Sequence, residues 1–91
     1  MAAMHSDAEL KRLCWRAHHR GTKEADLLIG GFFDRYGQGW SEDEMAWFET
    51  LLEEQDVDIM AWAIGTAAAP DRYRGDMMNR LRTLDYIKHP E

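Results

Sequence analysis

Three short groupings carry the residue types with most chemistry in them. His19-Arg20-Gly21-Thr22-Lys23-Glu24 sets basic side chains, a glycine and a carboxylate where the chain must turn. The glycine permits close backbone approach or a positive φ, and the charges are left near the surface. Asp56-Val57-Asp58-Ile59-Met60-Ala61-Trp62 is the second block, with two carboxylates at a helix start and an aromatic anchor behind them. In the third, Cys14 and His18 stand four apart on one helix face, with His19 and His5 close in sequence. Zinc needs three or four convergent ligands, whereas these cluster on one short helix, so no metal site is expected. His18 and His19 read instead as a basic helix end.

Other catalytic signatures are missing from the sequence. Gly30-Gly31 and Gly37-x-Gly39 lack the preceding strand and following helix of a dinucleotide loop. The serines are Ser6 and Ser41, both read as helix caps, and no Gly-x-Ser-x-Gly elbow occurs. Glu42, Asp43, Glu44, Glu49, Glu53 and Glu54 read as a solvated helix face, whereas acid–base catalysis needs a shielded pair. A chain of 91 residues has little room for a ligand cavity beside its own core. An enzyme is not expected.

Charge and cysteine content narrow the partners. The net charge is −6, which argues against nucleic acid and anionic membranes as targets. From Ala25 to Asp71 the sole basic residue is Arg35, while both ends are net basic. This pattern serves solubility and attraction between segments, or else makes a basic surface for an acidic patch on a partner. Cys14, the one cysteine, precludes an internal disulfide, suits a reducing compartment and reads as an inert thiol. No apolar run approaches the ~20 residues that span a bilayer, so no membrane insertion is expected. The first residues resemble neither a secretory signal nor an organellar presequence, so a cytoplasmic protein is expected.

The elements that must position these residues are helical. Ser6-Asp7-Ala8-Glu9 has the form of a capping box for a first helix to about His18, with Leu10, Leu13, Cys14 and Ala17 as its apolar stripe. A second helix is expected from Gly21 to about Tyr36, with Gly21 as N-cap, Glu24 at N3 and Arg20 closing the helix before it. Its apolar side carries Leu27, Leu28, Ile29, Phe32, Phe33 and Tyr36. Gly30-Gly31 inside it points to a close crossing or a bend. Gly37-Gln38-Gly39 is a turn. Ser41-Glu42-Asp43-Glu44 is a capping box for a third helix that buries Met45, Phe48, Leu51 and Leu52. Asp56 is expected to cap a fourth, carrying Ile59, Met60, Trp62, Ala63 and Ile64, with Gly65 as its stop. A linker, Thr66 to Pro70, leads to a fifth from about Tyr73 to Leu84 with Met77, Met78, Leu81 and Leu84 buried. Residues 88–91 are expected to fray. The fold class is all-α: one domain over 1–91, a compact bundle of about five short helices with an ordered core of about 7–85.

From about Arg12 to Leu84 the chain resembles the small FAD assembly factors of succinate dehydrogenase. The resemblance rests on Arg20-Gly21-x-x-Glu24, the Phe32-Phe33 pair, Ser41-x-x-Glu44 and Asp56-x-Asp58-Ile59-x-x-Trp62, in this order and spacing. It implies a five-helix bundle that is not an enzyme in the usual sense. It implies as partner the flavoprotein subunit of succinate dehydrogenase, and in some bacteria that of fumarate reductase. The implied role is to promote covalent attachment of FAD to a histidine of that subunit. FAD would then be delivered to the partner, with no cofactor held stably by the chain. By resemblance Arg20, Gly21 and Glu24 contact the flavoprotein near its flavin, supported by His19 and Asp26. The family often carries arginine or lysine where His19 stands, so charge here depends on pH. It usually has proline in place of Val57, which touches only a turn. The implied form is a bacterial, monomeric protein. The alternative reading is an acidic helical interaction or antitoxin-like module unrelated to flavin. In a helix-turn-helix version of it the acidic third helix would repel DNA.

Overall fold

The computed structural model describes residues 7–87. Among these residues five helices follow one another and no strand forms. Helix α1 is Asp7–His18. Helix α2 covers residues 23–36 in three parts: Lys23–Ala25, a π-helical stretch Asp26–Gly30, and Gly31–Tyr36. A 3-10 turn, Gly37–Gly39, leads to α3, Glu42–Leu51, and then α4, Asp56–Ile64. A second 3-10 turn, Asp71–Tyr73, precedes α5, Asp76–Thr83.

Local chemistry explains most of these boundaries. Ser41 and Glu44 form a reciprocal box: Ser41 N–H donates to Glu44 Oε1 at 2.9 Å, and Glu44 N–H donates to Ser41 Oγ at 3.2 Å. That bond from the backbone holds the Glu44 carboxyl below its ordinary pKa. Gly65 ends α4 in the left-handed conformation, at φ 96°. Gly30 and Gly31 admit two rings. A Cβ on Gly30 would lie 2.4 Å from His18 Nδ1, and one on Gly31 would lie 3.3 Å from the Tyr86 ring. The glycine pair thus marks a close crossing, and the π stretch ends on it.

Four sequence expectations need correction. Thr22, not Gly21, caps α2: its Oγ1 accepts from Ala25 N–H at 3.1 Å, which moves Glu24 to the second helical position. Gln55 occupies the N-cap of α4 without a side-chain bond, and Asp56 is the first helical residue. Tyr73 lies in the 3-10 turn, so α5 begins three residues later than expected, at Asp76. Its hydroxyl proton goes to Glu54 Oε2 at 2.7 Å, which helps hold that turn against the α3–α4 connection. Leu84 is half-buried rather than buried, and Leu27 and Ile64, apolar positions of α2 and α4, are exposed. The Ser6 box and the fraying of residues 88–91 lie outside the described residues.

Phe32 is the centre of the core. It is fully buried, and the rings of Tyr36, Trp40, Trp47, Phe48 and Tyr86 have centroids within 6.5 Å of its own. Residues from α2, α3, the connection between them and the segment after α5 therefore share one aromatic cluster, favoured by area burial and ring geometry. Ile59 and Trp62 of α4 and Met77, Met78 and Leu81 of α5 complete the buried set around it. The basic ends close on the acidic middle through Arg16–Glu53, Arg20–Asp56, Arg72–Glu54 and Arg80–Glu44. The segregation of charge along the chain thus resolves into attraction between segments.

Candidate functional site

The α1–α2 turn is built around Arg20. Its backbone N–H donates to Asp26 Oδ1 at 2.6 Å, tying the turn to the first turns of α2. Its guanidinium runs inward. Nε donates to Asp56 Oδ1 at 2.7 Å, Nη1 to the Leu52 carbonyl at 3.1 Å and Nη2 to the Glu54 carbonyl at 3.1 Å. The Arg20 side chain is only 12% exposed. The carbonyls at 52 and 54 lie just past the end of α3, where a helix leaves acceptors unpaired and favours a cation. Asp56 opens α4, where the dipole favours an anion. One side chain therefore pins the α1–α2 turn to the α3–α4 connection. It also unites the two sequence blocks 19–24 and 56–62, whose contact lies 36 residues apart in sequence.

With Arg20 turned inward, its neighbours define the outer surface of the turn. Gly21 is exposed at φ 116°, and a Cβ there would meet nothing within 4 Å. Glu24 is exposed and makes no hydrogen bond or ion pair among the described residues. His19 stacks on Trp15 with centroids 4.3 Å apart and planes 13° apart. Its Nδ1–H donates to the Trp15 carbonyl at 2.7 Å, and since a carbonyl only accepts, this fixes the proton on Nδ1. Nε2 is the ring nitrogen left over. Trp15 itself is 62% exposed. The turn thus presents a stacked indole–imidazole pair, a bare glycine and a carboxylate side by side in sequence.

Of the expected site residues, Gly21, Glu24 and His19 are on the exposed face, Asp26 is half-buried behind them, and Arg20 is their internal support. A cleft of about 450 Å³ opens beside them. It is lined by His18, Lys23, Asp26, Leu27, Gly31, Asp34, Arg35 and Tyr86. The α4 block contributes Asp56 as the anion that holds Arg20, a role the cap expectation missed. A carboxylate two residues from another at a helix start was the available signal, but it did not name its partner. Glu54 was also misread as solvated. The Tyr73 hydroxyl first, and Arg72 second, hold its carboxyl below the ordinary range. Asp34, from α2, joins Cys14 and His18 of α1. Burial first and the Asp34 charge second push the Cys14 thiol up, so it stays protonated.

Comparison with known proteins decides the family. The sequence model described as "flavinator of succinate dehydrogenase" matches residues 11–85. The chain belongs to this family. It is 35% identical over 74 residues to the FAD assembly factor SdhE of Acetobacter pasteurianus, covering 81% of this chain and 68% of that protein. It is 33% identical over 82 residues to the mitochondrial succinate dehydrogenase assembly factor 2 of Debaryomyces hansenii, covering 87% and 58% respectively. With the protein of that name from Saccharomyces cerevisiae it shares 36% over 89 residues, covering 93% and 55%. The chain thus spans little more than half the length of these mitochondrial relatives. The family match takes in the Arg20 turn, the Asp56 anchor and all of the cleft's lining except Tyr86. Among the described residues no helix is long and apolar enough to cross a membrane.

Proposed function

We propose that this chain is a cytoplasmic assembly factor that binds the flavoprotein subunit of succinate dehydrogenase and promotes covalent attachment of FAD to a histidine of that subunit. Family membership supports the process. The observation that carries the site is the inward Arg20, which leaves Gly21 bare and Glu24 unpaired on the face of a braced turn. A glycine without a side chain lets two backbones meet, and a free carboxylate offers a charge to the partner. His19 and Asp26 flank that contact. Arg20 acts on docking through the shape of the turn, since Asp56 already occupies its guanidinium.

The chain is not the catalyst in this reading. Flavin attachment draws its electrophile from the isoalloxazine, and a histidine of the flavoprotein is the nucleophile. A helper contributes geometry: it binds the arrangement in which the histidine and the flavin ring meet, and raises the population of that arrangement. FAD is held by the partner rather than by the bundle.

Co-expression with a succinate dehydrogenase flavoprotein subunit tests this, with covalent flavin read by in-gel fluorescence. Wild type is expected to raise the signal over no helper. Gly21→Arg and Glu24→Ala are expected to lower it and to weaken co-purification while remaining folded by circular dichroism. Covalent flavin indifferent to the chain, with no complex recovered, would overturn the proposal. Full activity of folded Gly21→Arg would overturn the site while leaving the process standing.

A further inference from the structure

We propose that Cys14, His18 and Asp34 form a site for a divalent transition metal of the zinc type. One ligand atom from each of the three lies within 4.8 Å of the others. Cys14 and His18 share a face of α1 at i, i+4, and Asp34 reaches them from α2. His18 Nε2–H donates to Asp34 Oδ1 at 3.0 Å, so two of the donors already converge. The His18 ring sits where Gly30 lacks a Cβ, which fixes the imidazole in the crevice between the helices. His18 and Asp34 also line the cleft, which leaves an open side for water as a fourth ligand.

The distances fit a metal with small adjustments. Zinc bonds of about 2.0–2.3 Å in a tetrahedron put neighbouring ligand atoms about 3.3–3.6 Å apart. The His18–Asp34 pair must open by a few tenths of an ångström from 3.0 Å, and the Cys14 sulfur must close by at most about 1 Å, within reach of a χ adjustment. The donor set is one sulfur, one nitrogen and one oxygen. It disfavours magnesium and calcium, which take oxygen donors, and suits zinc, cobalt or nickel. Binding releases the thiol proton of Cys14 to solvent, while the neutral His18 imidazole shifts its one proton from Nε2 to Nδ1 and so frees Nε2 as the ligand atom. The bound ion would bridge α1 and α2 across the turn at residues 19–22. This site is independent of the flavoprotein proposal.

The test is titration of the metal-free, reduced full chain with Co²⁺, followed by back-titration with Zn²⁺. The expected result is one equivalent of cobalt with a thiolate-to-metal charge-transfer band and intense visible bands, which zinc removes. Cys14→Ser is expected to abolish the charge-transfer band. Asp34→Asn and His18→Gln are expected to weaken cobalt binding at least about tenfold, with unchanged circular dichroism. Asp34 is an exposed residue, so its variant keeps the test open if His18→Gln fails to fold. The absence of a charge-transfer band at millimolar cobalt would overturn the site. So would a cobalt affinity left unchanged in Asp34→Asn.

Discussion

Arg20→Ala tests the pin directly. It removes three donors at once and leaves Asp56, at 24% side-chain exposure, facing an emptied crevice. A charge-assisted bond contributes about 1.5–3 kcal/mol, and each bond to a carbonyl about 0.5–1.5 kcal/mol. Water entering the vacated crevice returns part of this, because Asp56 is not sealed from solvent. The expected loss is about 2–3 kcal/mol, below the 3–5 typical of breaking a fully buried pair. For a domain of this size that lowers Tm by about 10–20 °C. Urea unfolding followed by far-ultraviolet circular dichroism measures it. Arg20→Lys should recover about half, since a point charge reaches Asp56 but cannot fork to both carbonyls. A double-mutant cycle with Asp56→Ala should return a coupling of about 1–2 kcal/mol. A loss under about 0.5 kcal/mol, or a coupling of zero, would refute the idea that this side chain holds the two connections together.

Three further outcomes follow from the same geometry. Gly21→Arg sits at φ 116° with open space around it. It should cost about 1–3 kcal/mol of backbone strain yet still fold, and a melt beside a pull-down with the flavoprotein separates the two effects. Gly30→Ala should destabilise by about 1–3 kcal/mol although alanine is the better helix former, because its Cβ would press on His18. Equal or greater stability in a thermal melt would contradict that crowding. Glu54 titrates below its ordinary range when folded, chiefly through the Tyr73 hydroxyl. Its contribution is therefore present above the unfolded value of about 4.3 and is lost as pH falls through the lower folded value. Tyr73→Phe should flatten that part of the acid limb, and an unchanged slope in the variant would assign it to other carboxylates.

What the sequence made legible was what neighbours in the chain decide. Ser41 and Glu44 lie three apart and need only each other, and Gly65 needs only a helix to end. The five helices and the buried set from Met45 to Leu52 followed from periodicity in the same way. Gly21 was read as the cap of α2, and the choice of Thr22 instead rests on its Oγ1 reaching Ala25 N–H while Gly21 turns at φ 116°. The role of Asp56 depended on Arg20, 36 residues before it, and a carboxylate at a helix start looks the same whether it caps or pairs. Asp34 is likewise 16 residues from His18, so the third member of that cluster was invisible along the chain. Leu27 and Ile64 fit the apolar faces of their helices by period but fall at the edges of the packed surface, where tertiary contact decides exposure. The candidate turn was located by its residues. That its arginine faces inward was not readable from them.

The stack of Trp15 on His19 gives this protein a built-in optical label. Trp40 and Trp62 are buried and Trp47 is half-buried, whereas the Trp15 indole stands in water at the entrance to the turn. Any molecule that settles over residues 15–24 must strip water from that ring and shift its emission to the blue, so contact at this surface can be followed in solution without attaching a dye.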